Sequence, residues 1–171
     1  PEGAFAIPFF YYLQHLKVHG LDVFIRQMLA DSRFRSDFLF RKQQLERLQD
    51  SIINSSISSS LLTLVYAKLA ENPAFTQWRF RSSTNSEDIR GFNGAGLYDS
   101  YTGIPGDPQK TVERAIKRVW ASLWNIGAFE EREYFRIDHS SVAMAVLVHR
   151  SFPSEEANGV VITKNLYNWR M

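Results

Sequence analysis

The hydrophobic period of the chain changes near Phe75, and that change limits the fold more than any other feature. Up to Pro73 the apolar residues recur three or four positions apart. Phe9, Phe10, Tyr12, Leu13 and Leu16 mark a helix running to Gly20, Val23, Phe24, Met28 and Leu29 a second, Phe38, Leu45, Leu48 and Ile52 a third, and Leu61, Leu62, Val65 and Leu69 a fourth. Residues 55–60, with five serines, read as a loop or a helix start, and Asn72-Pro73 ends the fourth helix. A short strand over 3–7 leads to Pro8, which suits a first helical position. From Gln77 the pattern alternates, putting Trp78 and Phe80 on one side and Arg79 and Arg81 on the other. Residues 97–102 read as a second strand, and Asp107-Pro108 as a capped helix start. The stripe Val112, Ala115, Ile116, Val119, Trp120 and Leu123 follows. Gly127 ends or bends that helix, and 130–135 continue it. Residues 142–148 are apolar on both faces, as in a covered central strand, with 159–163 as the hairpin partner. A mostly helical stretch, 1–73, followed by a sheet-bearing part, 74–171, predicts an α+β domain with a small antiparallel or mixed sheet.

Composition narrows the function. An apolar fraction of 44% over 171 residues supports a real core. Twenty Lys and Arg against 18 Asp and Glu, with no basic run, argue against a nucleic-acid partner. The absence of cysteine excludes disulfides, thiolate metal sites and a cysteine nucleophile. It also fits a reducing, cytoplasmic setting. No run of apolar residues is long enough to predict a membrane span. The chain opens on Pro1 without a methionine and stops soon after an apolar run, so it reads as an excerpt of a longer protein.

The chemistry concentrates in Arg81-Ser82-Ser83-Thr84-Asn85-Ser86-Glu87-Asp88 and in the following run Gly91-Phe92-Asn93-Gly94-Ala95-Gly96. A fixed cation, hydroxyl donors and glycine backbone suit a polyanion, nucleotide phosphates first. On spacing alone, Arg79 and Arg81 read first as a solvated strand face, and the phosphate fork is the alternative. Ser82 and Ser83 are turn residues or phosphate donors. Glu87 and Asp88 cap a turn or help hold Mg²⁺, with the cap favoured. Gly94-Ala95-Gly96 is a flap or a hairpin turn, and is neither a Walker A loop nor a Rossmann fingerprint. His15, His19, His139 and His149 lack metal-ligand spacing, so no metal site is predicted. His149 by position reads as a core histidine, with a ligand-facing role the alternative.

The order of these pieces resembles the N-terminal nucleotide-binding domain of pyruvate phosphate dikinase and phosphoenolpyruvate synthase, shared by rifampicin phosphotransferases and glucan water dikinases. Four segments carry the resemblance: Pro1 to Ile7, Arg81 to Asp88 with its glycine loop and Leu97-Tyr98-Asp99-Ser100-Tyr101, Val119 to Trp124 with Arg132 beyond, and Val146 to Phe152 with Gly159 to Asn165. The resemblance implies an ATP-grasp-like fold with ATP and Mg²⁺ between two lobes. It implies that Arg81 is the catalytic and phosphate-binding arginine. Ser82, Ser83, Gly94, Ala95 and Gly96 would cover the triphosphate, and His149, Arg150 and Phe152 would lie where the family's hinge meets the adenine. In that family ATP phosphorylates a histidine on a separate domain of the same chain, which passes the group to pyruvate or another acceptor. His149 stands where the family has glutamine, and Arg150 to Phe152 also depart from its pattern. The family's N-terminal lysine and its metal-binding acids would lie outside this stretch, so it is expected to be inactive alone. The rival expectations are a non-catalytic domain that kept the fold, and a helical interaction module using Phe9 to Leu16 or Phe34 to Phe40.

Overall fold

The computed structural model describes residues 3–86, 88–89, 92–94, 96–152 and 154. In chain order they form β1 (Phe5–Ile7), α1 (Phe9–Val18), α2 (Leu21–Ala30), α3 (Ser32–Ser36), α4 (Phe38–Asn54), α5 (Ser59–Ala70), β2 (Trp78–Thr84), β3 (Asp88–Ile89), β4 (Phe92–Asn93), β5 (Tyr101–Gly103), α6 (Val112–Ser122), α7 (Ile126–Tyr134) and β6 (Met144–Arg150). The class is α+β, as expected. One sheet has the order β1-β6-β2-β5 and is antiparallel throughout, while β3 and β4 pair by themselves. Among the described residues no helix is long and apolar enough to cross a membrane.

Local chemistry sets the helix ends. Asp31, Asp37, Ser58 and Thr111 each accept a backbone N–H from the first turn of α3, α4, α5 and α6. The α3 turn was not legible as a helix, being only five residues long. Gly20, at φ +67°, joins α1 directly to α2 in a conformation suited to glycine. Pro8 is the N-cap of α1, so the helix begins at Phe9, one place after the predicted first helical residue.

Four other expectations are corrected. The Asp107 carboxylate accepts the N–H groups of Gln109 and Lys110 at 2.7 and 2.8 Å, closing a turn, and α6 begins at Val112 with Thr111 as its cap. The predicted strand over 97–102 is regular only at Tyr101–Gly103, because Tyr98 is drawn into the interior. Gly127 lies within the first turn of the separate helix α7. Strand β6 is central, but its two faces differ: Met144, Val146 and Val148 are fully buried, whereas Leu147 is 38% exposed. The expected hairpin partner at 159–163 lies outside the described residues.

Helices α1 and α6 lie against the sheet, and α4 packs on α6. The core gathers the predicted stripe of α6 with Tyr12, Trp78, Phe80 and Trp124. The Trp124 indole N–H donates to the Tyr12 hydroxyl at 2.9 Å, which satisfies a polar pair inside apolar packing. Gly103 lets β5 approach α6: a Cβ there would stand 2.6 Å from the buried Phe80 ring and 3.2 Å from the Val112 Cα. Three basic side chains close the C-terminal end of α4, where backbone carbonyls lack helical partners. His15 and His19 donate from Nε2 to the Ile52 and Ser56 carbonyls at 3.1 and 2.7 Å, and Lys117 donates to the Ser55 carbonyl at 3.0 Å. The two histidine rings meet edge to face at 4.9 Å.

Burial holds His15 neutral, lowering its pKa from 6.5 to about 4, with His19 and Lys117 adding to the effect and the Ile52 carbonyl and Glu113 opposing it. Below pH 6.5 the unfolded chain takes up a proton that the fold refuses until about pH 4. Stability therefore rises with pH across that interval. Denaturant midpoints measured at stepped pH should show this rise, and His15→Gln, which keeps a donor for Ile52, should flatten part of it. Gly103→Ala should cost about 1–3 kcal/mol in urea unfolding, because neither the Phe80 ring nor the α6 backbone has room to withdraw.

Candidate functional site

The pairing of β2 with β6 decides what faces outward. Trp78, Phe80, Ser82 and Thr84 stand opposite Arg150, Val148, Val146 and Met144 on the helix-covered side. Arg79, Arg81 and Ser83 stand opposite His149, Leu147 and Ala145 on the other side. Arg81 is exposed there, and among the described residues its guanidinium has no hydrogen-bond or ion-pair partner. Arg79 beside it is half-buried and donates to the Thr102 hydroxyl at 3.3 Å. His149 is half-buried on the same open face, so the core reading of this residue is corrected.

The predicted site residues divide. Ser83 shares the face of Arg81, whereas Ser82 is turned to the helix side. Arg150 also alternates away from the open face. Its guanidinium lies 4.4 Å from the Phe152 ring centre and 5.7 Å from that of Phe75, three residues along β6 from Leu147, about 10 Å. The Gly94 carbonyl accepts the Leu97 N–H at 3.2 Å, and Gly96 has φ +83°, so a tight glycine turn exists at this point. Ala95, Glu87 and the side chain of Asp88 lie outside the description. Among the described residues no three histidine, aspartate or glutamate side chains gather as a metal site.

A buried network holds both ends of the glycine loop. Arg132 is wholly buried, an unusual position for a guanidinium that has no carboxylate partner among the described residues. It donates to the Leu123 carbonyl at 2.7 Å, to the Tyr98 hydroxyl at 3.3 Å and to His139 Nδ1 at 3.4 Å. Arginine cannot accept a hydrogen bond, so His139 Nδ1 is the unprotonated nitrogen and its Nε2–H donates to Glu133 at 2.9 Å. Tyr98 closes the loop on one side, and Ser86 meets its hydroxyl at 3.5 Å from the other. Asn85 pins the outgoing end of β2, donating to the Ser141 carbonyl and accepting the Ala143 N–H, both at 2.9 Å. Sequence reasoning gave Arg132, Tyr98 and Asn85 only as members of motifs and assigned none of them this role. The one available signal was an arginine on a helix whose neighbours Ala128 and Phe129 are apolar.

Residues 1–170 match the family described as pyruvate phosphate dikinase, AMP/ATP-binding domain. The chain belongs to that family. A phosphoenolpyruvate synthase from Aeropyrum pernix is 36% identical over 83 residues, 48% of this chain and 10% of that protein. An uncharacterized phosphotransferase from Bacillus subtilis is 29% identical over 156 residues, 88% of this chain and 18% of that protein. A rifampicin phosphotransferase from a Streptomyces species is 28% identical over 117 residues, 68% of this chain and 13% of that protein. The chain thus spans roughly a tenth to a fifth of the relatives it matches. The open sheet face is therefore a surface of a dikinase-type AMP/ATP-binding domain.

Burial lowers the pKa of the Arg132 guanidinium, with Tyr98 and Tyr12 opposing the effect. Arg132→Met should strand the Leu123 carbonyl and the Tyr98 hydroxyl, costing at least about 2 kcal/mol in chemical denaturation. Hydrogen exchange should accelerate over 84–98 in that variant. Arg132→Lys should fail to restore protection, because a single ammonium cannot reach three acceptors set around a planar fork.

Proposed function

We propose that the open face of β2 and β6 carries the triphosphate of ATP. On this reading the intact protein uses the nucleotide to phosphorylate a histidine on a separate domain, which passes the group to pyruvate or another acceptor. One observation carries the reading: the exposed Arg81 guanidinium, without a partner among the described residues, stands on the outward face of a sheet whose other face is sealed by helices. A protein gains little from an unpaired guanidinium there, whereas a phosphate accepts its two parallel N–H bonds. In phosphoryl transfer, catalysis is chiefly positioning and neutralisation of charge on the phosphoryl oxygens, and a guanidinium carried on a sheet strand contributes to both.

Placement supports the remaining proposed roles. Ser83 shares the face of Arg81 and offers a hydroxyl. Gly94, Ala95 and Gly96 form the flap over the phosphates, its base held by Arg132, Tyr98 and Ser86. Leu147, exposed opposite Arg81, and His149 offer an apolar and a polar surface to the nucleoside, with Arg150 and Phe152 at its margin. The whole fits an ATP-grasp-like arrangement in which a second lobe closes from the far side. Magnesium would sit on the phosphate oxygens, shared with the acidic residues that the resemblance puts outside this stretch.

Titration calorimetry of Mg-ATP into the intact protein tests the reading. Arg81→Ala should weaken binding roughly 10- to 100-fold, the loss of a charge-assisted hydrogen-bond pair. Ser82→Ala, on the opposite face, should change it less than about twofold, as a substitution outside the contact should. Equal affinity for the Arg81→Ala and unsubstituted proteins would remove the assignment.

A further inference from the structure

A second concentration of positive charge lies at the edge of the sheet. A cavity of about 270 Å³ opens between β5 and the first turns of α6. Arg79, Lys110, Arg114 and Arg118 line it, with the hydroxyl residues Thr102 and Thr111. Among the described residues no carboxylate lines it. None of the four cations has an ion-pair partner among the described residues. Acidic residues of the adjoining segments are committed elsewhere. Glu113 pairs with Lys117 at 2.7 Å, Asp99 accepts from Tyr101 and Asn125, and Asp107 accepts the backbone N–H groups of Gln109 and Lys110.

This arrangement opposes itself unless something neutralises it. Arg114 and Arg118 are four apart on α6, a spacing at which like charges repel. The N-terminal end of α6 adds further positive potential. The two half-buried arginines are also held in place: Arg79 by its bond to Thr102, and Arg118 by lying over the Tyr101 ring at 5.2 Å. A merely solvated basic surface would need neither restraint nor convergence of a strand, a loop and a helix. We propose that this cavity is an anion site for a phosphate group, separate from the triphosphate position beside Arg81, although Arg79 belongs to both the cavity and the open sheet face. Its two restrained guanidinium forks match tetrahedral oxyanions, Lys110 supplies a mobile point charge, and hydroxyls complete the donor set. Ligand pockets usually begin at about 300 Å³, so the site suits inorganic phosphate, diphosphate or a small phosphomonoester better than a whole nucleotide.

The test titrates the intact protein, at constant ionic strength set with chloride, with inorganic phosphate, diphosphate and glycerol 3-phosphate in turn, followed by calorimetry. At least one should bind saturably, and the tightest of the three identifies the source of the phosphate group. The double variant Arg114→Gln with Arg118→Gln should bind that anion at least tenfold more weakly while holding Mg-ATP within twofold. Arg81→Ala should do the reverse. If the double variant does not fold, Lys110→Gln, at an exposed loop position, should still weaken the anion severalfold. The proposal is overturned if none of the three anions binds above the chloride background, or if the variants bind them unchanged. It is equally overturned if the double variant loses Mg-ATP and the anion together, since the cavity would then be part of the nucleotide face.

Discussion

Everything in this domain depends on how β2 is registered against β6. Seven residue pairs, from Trp78 with Arg150 to Thr84 with Met144, join the two central strands. Side chains alternate along a strand, so this register sends Trp78 and Phe80 under α6 and leaves Arg79 and Arg81 outside. A slip of one residue would bury two guanidinium groups and expose an indole and a phenyl ring. The hydrophobic cost of that exchange protects the outward face from error. The polar surface of the site is thus specified by the apolar residues behind it.

The second constraint is the charge of Arg132 inside the core. A guanidinium there must find acceptors, and those present belong to the end of α6, the loop before β5 and the turn after α7. One side chain thereby ties three segments that share no regular hydrogen bonding. The neutral tautomer of His139 follows from the same requirement, as does its stacking on Phe129 at 4.0 Å between ring centres. Rigidity beneath a glycine-rich loop matters because the loop gains precision only from what anchors its ends.

Much of this was legible in the residues. The periodic segments around Leu45, Val65 and Ile116 became helices, and the alternation at Trp78 to Arg81 set the sheet face. Boundaries were harder, because Asp107 and Thr111 offer competing caps four residues apart and only packing of Val112 decides between them. The run at 142–148 looked covered on both sides because small and large apolar residues read alike, while the fold leaves Leu147 at the surface. At the site, Arg81 could be found from its neighbours. The separation of Ser82 from Ser83, the turn of Arg150 towards Phe75, and the linkage of Arg132 to Tyr98 depend on strand parity and on contacts distant in the chain. The basic cavity at β5 escaped notice for the same reason, since Arg79 and Arg118 meet only after folding.

Among the described strands β1 lies outermost against β6, so Phe5 finds its partner in Val148. The first described strand is therefore completed by the last described one. During synthesis on a ribosome helices α1 to α5 would emerge before β6 exists, with Tyr12 and α4 lacking the α6 surface they pack against. Non-local pairing of this kind makes folding slow and leaves apolar surface open to other chains meanwhile. Production of this domain is thus a race between elongation and aggregation, decided by how soon one late strand leaves the exit tunnel.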